Sequence, residues 1–156
     1  MMKMQADNDL FMVSEIKKNY SPEFRVSERP KITWSKGAYE IFNAHWNRDT
    51  LELTESFYIL LLNNAGRVIG IKEISSGGSV STVVDPKLVF AVALKTFCNG
   101  IILAHNHPSQ QLSRSEADLT LIKKLTEAGK LLGIQVLDHL ILGKYGYYSF
   151  QNEGVM

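Results

Sequence analysis

An apolar run that ends in two closely spaced histidines constrains this chain more than any other feature. Residues 100–104 read Gly-Ile-Ile-Leu-Ala, a short apolar segment opened by glycine, which predicts a buried strand. His105 and His107 follow, and Pro108 then stops the strand. Because residues two apart on a strand point to the same side, we expect the two imidazoles to face one way.

An acidic residue, Asp118, follows near the start of a segment with a helical pattern. Two neutral imidazoles and one carboxylate form the ligand set of a catalytic zinc site, in which the fourth tetrahedral position is left for water. A second interpretation stays open, because Ser115 and Asp118 also match a Ser-x-x-acid helix start, in which Asp118 only supports the helix N-terminus. The two histidines could likewise bind backbone groups at the end of the strand.

Composition and charge exclude several classes of protein. The 156 residues, 45% of them hydrophobic, suffice for a single domain with one core. A net charge of +1 provides no long-range attraction to nucleic acid or to an anionic membrane. The single cysteine, Cys98, excludes an internal disulfide and a multi-cysteine zinc site. Since no apolar run approaches the roughly 20 residues that span a bilayer, and the N-terminus lacks the apolar core of a secretory signal, we expect a cytoplasmic protein.

Strand and helix patterns are mixed along the chain without strict alternation, which favours an α+β fold with one mixed sheet. A continuous apolar run, a turn rich in asparagine and a return strand predict a hairpin in the first half of the chain. The predicted strands span residues 57–62, 67–74, 80–84, 100–104, 134–142 and 147–150, and the predicted helices span 38–46, 87–97 and 115–132. Residues 11–20 are assigned more weakly to a strand.

Two further polar residues interrupt apolar strands. Alternation on the return strand places Glu73 on one face with Ile69 and Ile71, where partial loss of hydration would raise its pKa toward the range of a general base. The alternative is a glutamate at the strand end that points into water. His139 lies within an apolar strand, and we interpret it as a core histidine or a partner of a ligand and not as a ligand itself.

The order and spacing of these residues resemble the JAMM signature of JAB/MPN-type metalloproteases. The matching elements are Glu73, then His105-x-His107-Pro108, then Ser115-x-x-Asp118. The stretches at residues 73–77, 101–109 and 137–141 also resemble the RadC family, long labelled DNA repair proteins. We therefore expect residues 50–156 to form a RadC-like JAB/MPN domain. Residues 1–49 are expected to be an N-terminal extension with a short helix and no helix-hairpin-helix region.

This resemblance implies a curved mixed β-sheet flanked by helices, of the cytidine-deaminase-like type. It implies that His105, His107 and Asp118 hold Zn²⁺, and that Glu73 acts as general base on the metal-bound water. Ser115 would help to hold the oxygen of the tetrahedral intermediate. Gln110 stands where the family usually has glycine, so we expect the loop between the ligands to take another course over the site.

The function implied by the resemblance is hydrolysis of a peptide, isopeptide or other amide bond by a zinc enzyme. The alternative is a DNA-repair or DNA-processing accessory protein whose metal is structural or vestigial, although the near-neutral charge speaks against it. A zinc deaminase would need a Pro-Cys-x-x-Cys motif, which the sequence lacks. We expect a protein or peptide substrate, no strong nucleic-acid binding and no membrane association. Exposed strand edges are compatible with a homodimer.

Overall fold

A five-stranded mixed sheet forms the centre of the fold. The computed structural model describes residue 14 and residues 19–77 and 83–156. The strands are β1 (Ser56–Leu62), β2 (Val68–Ser76), β3 (Gly100–Asn106), β4 (Gln135–Leu142) and β5 (Tyr147–Ser149). Their order across the sheet is β2-β1-β3-β4-β5, and neighbours are antiparallel except β3 and β4, which are parallel. The predicted α+β class with a mixed sheet is confirmed.

The helices in the described part of the chain are α1 (Ser35–His45), α2 (Pro86–Thr96) and α3 (Glu116–Leu132), with a short 3-10 helix at Val26–Glu28 before them. Two of them begin at side-chain caps. Asp85 accepts a hydrogen bond from the Lys87 N–H, and proline follows at the first helical position. Ser115 and Asp118 form a reciprocal capping box, so the helix-start interpretation of this pair holds for α3.

Both faces of the sheet are covered. On one face, residues of β1 and β3 pack against α2 and α3, with Phe57 and Leu103 among the buried side chains. On the other face, Leu60 and Ala104 belong to a second buried cluster with Phe42 of α1. We call these the α2/α3 face and the α1 face. Central strands buried on both sides explain why β1 and β3 read as continuous apolar runs.

Edge strand β2 departs from regular alternation. Its register with β1 slips at Ile69 and again at Ile74, and neither residue has a partner on β1. Because such a bulge reverses the alternation of side chains, Ile69 packs on the α2/α3 face whereas Ile71 packs on the α1 face. The prediction that Ile69 shares a face with Ile71 and Glu73 is therefore wrong.

Two predicted strands, the weak one at residues 11–20 and the one at 80–84, lie largely outside the described residues. Helix α1, part of the predicted N-terminal extension, packs on the sheet through fully buried Ala38 and Phe42, and the boundary at residue 49 stays a prediction. Among the described residues, no helix has both the length and the apolar character needed to cross a membrane.

Candidate metal centre

Three chain segments bring polar side chains together at the carboxyl end of β3. His105 lies within the strand, His107 follows just after it, and Asp118 belongs to the first turn of α3. His105 pairs with Phe57 of β1, which packs in the core on the α2/α3 face, so its imidazole points toward the side on which α3 lies. The capping box holds the Asp118 backbone and carboxylate at the start of α3.

The three predicted ligand residues lie within reach of one cation. His105 Nε2 is 2.9 Å from His107 Nε2 and 3.2 Å from Asp118 Oδ1, and His107 Nε2 is 3.5 Å from Asp118 Oδ2. Ligand atoms about 2.0–2.1 Å from a tetrahedral metal lie about 3.3 Å from one another. The observed spacings fall on both sides of that value. The donor set of imidazole nitrogen and carboxylate oxygen also suits a transition metal such as Zn²⁺.

A fourth polar side chain, Glu55, joins this group and was not predicted from the sequence. Glu55 is only 9% exposed, and its carboxylate and one nitrogen of each of His105 and His107 all lie within 4.8 Å of one another. It precedes β1, whose antiparallel pairing with β3 puts the start of one strand beside the end of the other. The available signal was an acidic residue immediately before strand β1.

Glu73, predicted as the general base, lies elsewhere. It pairs opposite Tyr58, whereas His105 pairs opposite the adjacent residue Phe57. Because neighbouring strand residues point to opposite faces, Glu73 extends from the α1 face and His105 from the α2/α3 face. The Glu73 side chain is exposed, so the prediction that it is partly desolvated is wrong. Its charge acts on Tyr58 instead, whose pKa is raised by burial and, to a lesser extent, by Glu73.

The electrostatics of the group favour a cation. Burial by itself would raise the pKa of Asp118, but the hydrogen bonds from His105 and His107 outweigh it and hold that pKa far below its usual value. The hydrogen bond with Asp118 in turn raises the pKa of His107, against an opposing effect of burial. The Nδ1 atom of His107 lies 2.8 Å from the Gln111 carbonyl oxygen, which directs Nε2 toward the other ligands. A charged carboxylate thus lies among imidazole nitrogens.

His139 lies behind His105 in apolar surroundings. Its Nε2 is 2.6 Å from His105 Nδ1, and its ring stacks on Phe150 and meets Phe57 edge-on. Burial lowers the pKa of His139 well below its usual value, so the ring is neutral. A neutral His139 can accept the Nδ1 proton of His105, which leaves His105 Nε2 free to bind a cation. Among the described residues, His139 Nδ1 has no hydrogen-bond partner.

Two other residues singled out in the sequence border the group. The Ser115 hydroxyl oxygen accepts a hydrogen bond from the Asp118 N–H at 3.1 Å, and its contact with a reacting oxygen stays a prediction. Gln110 has a φ of 64°, in the left-handed region that glycine adopts most easily. Its side chain accepts a hydrogen bond from the Lys144 N–H and donates one to the His107 carbonyl oxygen, so it ties the ligand loop to the turn after β4.

Comparison with known proteins decides the family. The family model described as "RadC-like JAB domain" matches residues 32–155, which is most of the chain. This chain belongs to the RadC-like JAB domain family. The resemblance read from the histidine and serine motifs is thereby confirmed, as is the fold class that it implied.

Relatives of this RadC-like domain occur in several bacteria. It is 44% identical over 126 residues to a UPF0758 protein of Flavobacterium johnsoniae, a match that covers 80% of this chain and 53% of that protein. A UPF0758 protein of Porphyromonas gingivalis is 37% identical over 136 residues, covering 86% and 59%. One from Alkaliphilus metalliredigens is 49% identical over 102 residues, covering 65% and 44%. The chain thus spans about half the length of the curated relatives that it matches.

The RadC-like domain therefore presents a candidate metal centre with two kinds of groups. His105, His107 and Asp118 offer donor atoms at the mutual distances expected around one small cation. Glu55 adds a second carboxylate, largely shielded from solvent, beside the two imidazoles. Chemically, such a group can bind a divalent metal and move a proton next to it.

Proposed function

We propose that this RadC-like domain is a metal-dependent hydrolase that cleaves a peptide, isopeptide or other amide bond. The observation that carries the proposal is the convergence of His105, His107 and Asp118 with the buried carboxylate of Glu55. The three ligand residues would hold Zn²⁺, which when bound acts as a Lewis acid on a carbonyl and lowers the pKa of water. The remaining chemistry falls to the side chains of the chain itself.

Glu55 takes the role of proton carrier in this proposal. Hydrolysis of an amide removes a proton from the attacking water and delivers a proton to the leaving nitrogen, so one carboxylate can do both in turn. Glu55 lies beside the two imidazoles and is largely shielded from solvent, whereas Glu73 is exposed on the other face of the sheet. The position of Glu55, and not that of Glu73, supports such a transfer.

Ser115 is proposed to help hold the oxygen that becomes negative as the carbonyl is attacked. A hydroxyl can donate its own hydrogen while its oxygen accepts another, and the Ser115 oxygen accepts from the Asp118 N–H. A donor fixed in this way before the reaction stabilises developing charge without reorganisation. The capping box would therefore serve the helix and the reaction together.

The charges of the chain favour an amide substrate over a phosphodiester. Phosphodiester cleavage commonly uses two metals about 3.5–4 Å apart, whereas the spacings among His105, His107 and Asp118 suit a single metal. Binding of a nucleic-acid backbone depends on clustered positive charge, and the chain has 17 Lys and Arg against 16 Asp and Glu. We therefore propose a protein or peptide substrate.

The test compares Glu55→Gln with Glu73→Gln as its matched control. Zinc-loaded wild type and both variants are incubated with a peptide and isopeptide library, duplex DNA and single-stranded DNA, after their metal content is measured. We expect all three to hold about one zinc per chain and to leave DNA intact. Glu55→Gln should lose amide cleavage by on the order of 10²-fold or more, while Glu73→Gln keeps it. Full activity of Glu55→Gln, or metal-dependent cleavage of DNA, would contradict the proposal.

A further inference from the structure

Asn106, between the two candidate histidine ligands, is a fully buried polar residue. Its Oδ1 accepts a hydrogen bond from the Ser56 N–H at 2.8 Å. Its Nδ2 donates to the Leu51 carbonyl oxygen at 2.7 Å and to the Thr54 carbonyl oxygen at 2.9 Å. Both donor hydrogens and one acceptor position of the amide are therefore used. All three partners belong to one short segment, residues 51–56, and Glu55 lies between two of them.

This segment enters the sheet at Glu55. Strand β1 begins at Ser56, so Glu55 precedes the regular pairing of β1 with β3. The Glu55 carbonyl oxygen accepts a hydrogen bond from the Gly77 N–H at 3.1 Å, which fixes one side of the residue to the end of β2. Asn106 fixes the chain immediately before and after Glu55, at Thr54 and Ser56. These contacts hold the main chain on both sides of Glu55.

Asn106 is also rigidly connected to the ligands. His105 and His107 are its covalent neighbours, and adjacent strand residues point to opposite faces, so Asn106 extends from the α1 face while His105 extends from the α2/α3 face. A movement of segment 51–56 relative to the histidines would break hydrogen bonds to a buried amide and leave its polar atoms without partners, which is unfavourable away from water. The segment and the ligand pair are thus coupled through one side chain.

We propose that Asn106 is a positioning residue that holds the Glu55 carboxylate beside His105 and His107. The inference rests on the proposed role of Glu55 as proton carrier, and it adds the residue that keeps this carrier in place. The substitution Asn106→Ala would leave the ligand residues unchanged but release the backbone on both sides of Glu55. A purely structural asparagine would affect stability alone.

The first measurement is independent of any reaction. Backbone hydrogen exchange in the metal-free protein should accelerate in Asn106→Ala at residues 51–56 and most of all at Ser56, whose N–H loses its acceptor. In protein loaded with Co²⁺, the paramagnetic shift of the Glu55 carboxyl carbon should fall as the carboxylate moves away from the metal. Unchanged exchange at Ser56 together with an unchanged Glu55 shift would overturn the proposal, even if wild type cleaved no amide.

The second measurement is a double-mutant cycle on the zinc-loaded enzyme. We expect Asn106→Ala to keep about one zinc per chain and to lower kcat by about tenfold or more with little change in KM. In a Glu55→Gln background the same substitution should have no further effect on kcat, because the carboxylate that it misplaces is already gone. Independent losses from the two substitutions would overturn the positioning role.

Asn63→Ala is the matched control, and Asn106→Ser guards against a variant that fails to fold. The Asn63 Oδ1 also accepts hydrogen bonds from backbone N–H groups, at Ala65 and Arg67 in the β1–β2 turn, far along the strands from the histidines. Asn63→Ala should lower stability while kcat and the Glu55 shift stay unchanged. Asn106→Ser keeps a small polar group and should show the same changes as Asn106→Ala in weaker form. A fall in kcat for Asn63→Ala equal to that for Asn106→Ala would indicate a general effect of stability and refute the inference.

Discussion

Replacing His139 by leucine should weaken metal binding while leaving the metal-free fold nearly as stable as before. A neutral histidine that binds a cation through Nε2 carries its proton on Nδ1. If His105 binds the metal in this way, it would donate from Nδ1 to His139 Nε2, which lies 2.6 Å away. Leucine occupies similar space between Phe57 and Phe150 but accepts no hydrogen bond. The buried Nδ1–H of His105 would then lose its partner.

The size of the effect is that expected for losing the hydrogen-bond partner of a ligating histidine, which commonly weakens metal binding by about 10- to 100-fold. Such a change in the metal Kd corresponds to about 1.4–2.7 kcal/mol. In the metal-free protein, His105 can keep its proton on Nε2 and donate it to Asp118 Oδ1, 3.2 Å away. No buried donor is then left unpaired, so stability should change much less.

The assay pairs two measurements with a rescue variant. Competition with a chromophoric chelator gives the zinc Kd, and urea unfolding of the metal-free protein gives the free energy of unfolding. His139→Gln, whose side-chain oxygen can accept the Nδ1 proton of His105, should restore most of the affinity that His139→Leu loses. An unchanged Kd in His139→Leu, or equal losses in both variants, would refute the proposed direction of the hydrogen bond.

Two further predictions concern stability of the metal-free protein. Burial lowers the pKa of His139 well below its usual 6.5, so below that pH the unfolded chain binds a proton that the folded chain does not. As pH falls, this group should lower the free energy of unfolding of wild type by up to about 1.4 kcal/mol per pH unit, whereas His139→Leu should lack this loss. Parallel pH profiles of the two proteins in urea unfolding would contradict this prediction. The φ of Gln110 is 64°, which strains the backbone of any residue that carries a Cβ. Gln110→Ala removes the side-chain hydrogen bonds but keeps this strain, whereas Gln110→Gly removes the hydrogen bonds and the strain. Gln110→Gly should therefore be about 1 kcal/mol more stable than Gln110→Ala, and the reverse order would exclude backbone strain at this turn.

The parts of the molecule that the sequence predicted correctly depend on local patterns. Burial of β3 followed from an apolar run between glycine and proline, and the start of α3 followed from Ser115 and Asp118, which are only three residues apart. Asp118 was expected either to cap the helix or to face the histidines. It does both, because one carboxylate oxygen accepts from the Ser115 N–H while the other lies 3.2 Å from His105 Nε2.

The placement of Glu73 failed because of a feature that has no short-range signal. Alternation is a reliable guide to side-chain direction only while the register is continuous, and a single unpaired residue reverses it. On β2 the register slips at Ile69 and at Ile74, on either side of Glu73. Nothing in the order of residues 67–76 distinguishes a bulge from a regular strand, because the slip depends on how β2 packs against β1 and the two core clusters.

Glu55 could not be predicted from the sequence because its place beside the histidines depends on which strands pair. The register of β1 with β3 places Phe57 opposite His105, and continuing it by two residues brings Glu55 level with His107. This proximity exists only because β1 and β3 are neighbours, although some forty residues, including β2 and α2, separate them along the chain. An acidic residue before an apolar strand is ordinary on its own, since strands commonly begin in solvent. Glu55 differs from a surface glutamate in its burial beside two histidines. The segment around it also shares three hydrogen bonds with the Asn106 amide, which accepts one and donates two. A buried carboxylate next to a candidate metal centre is suited to the proton transfer that we propose for Glu55.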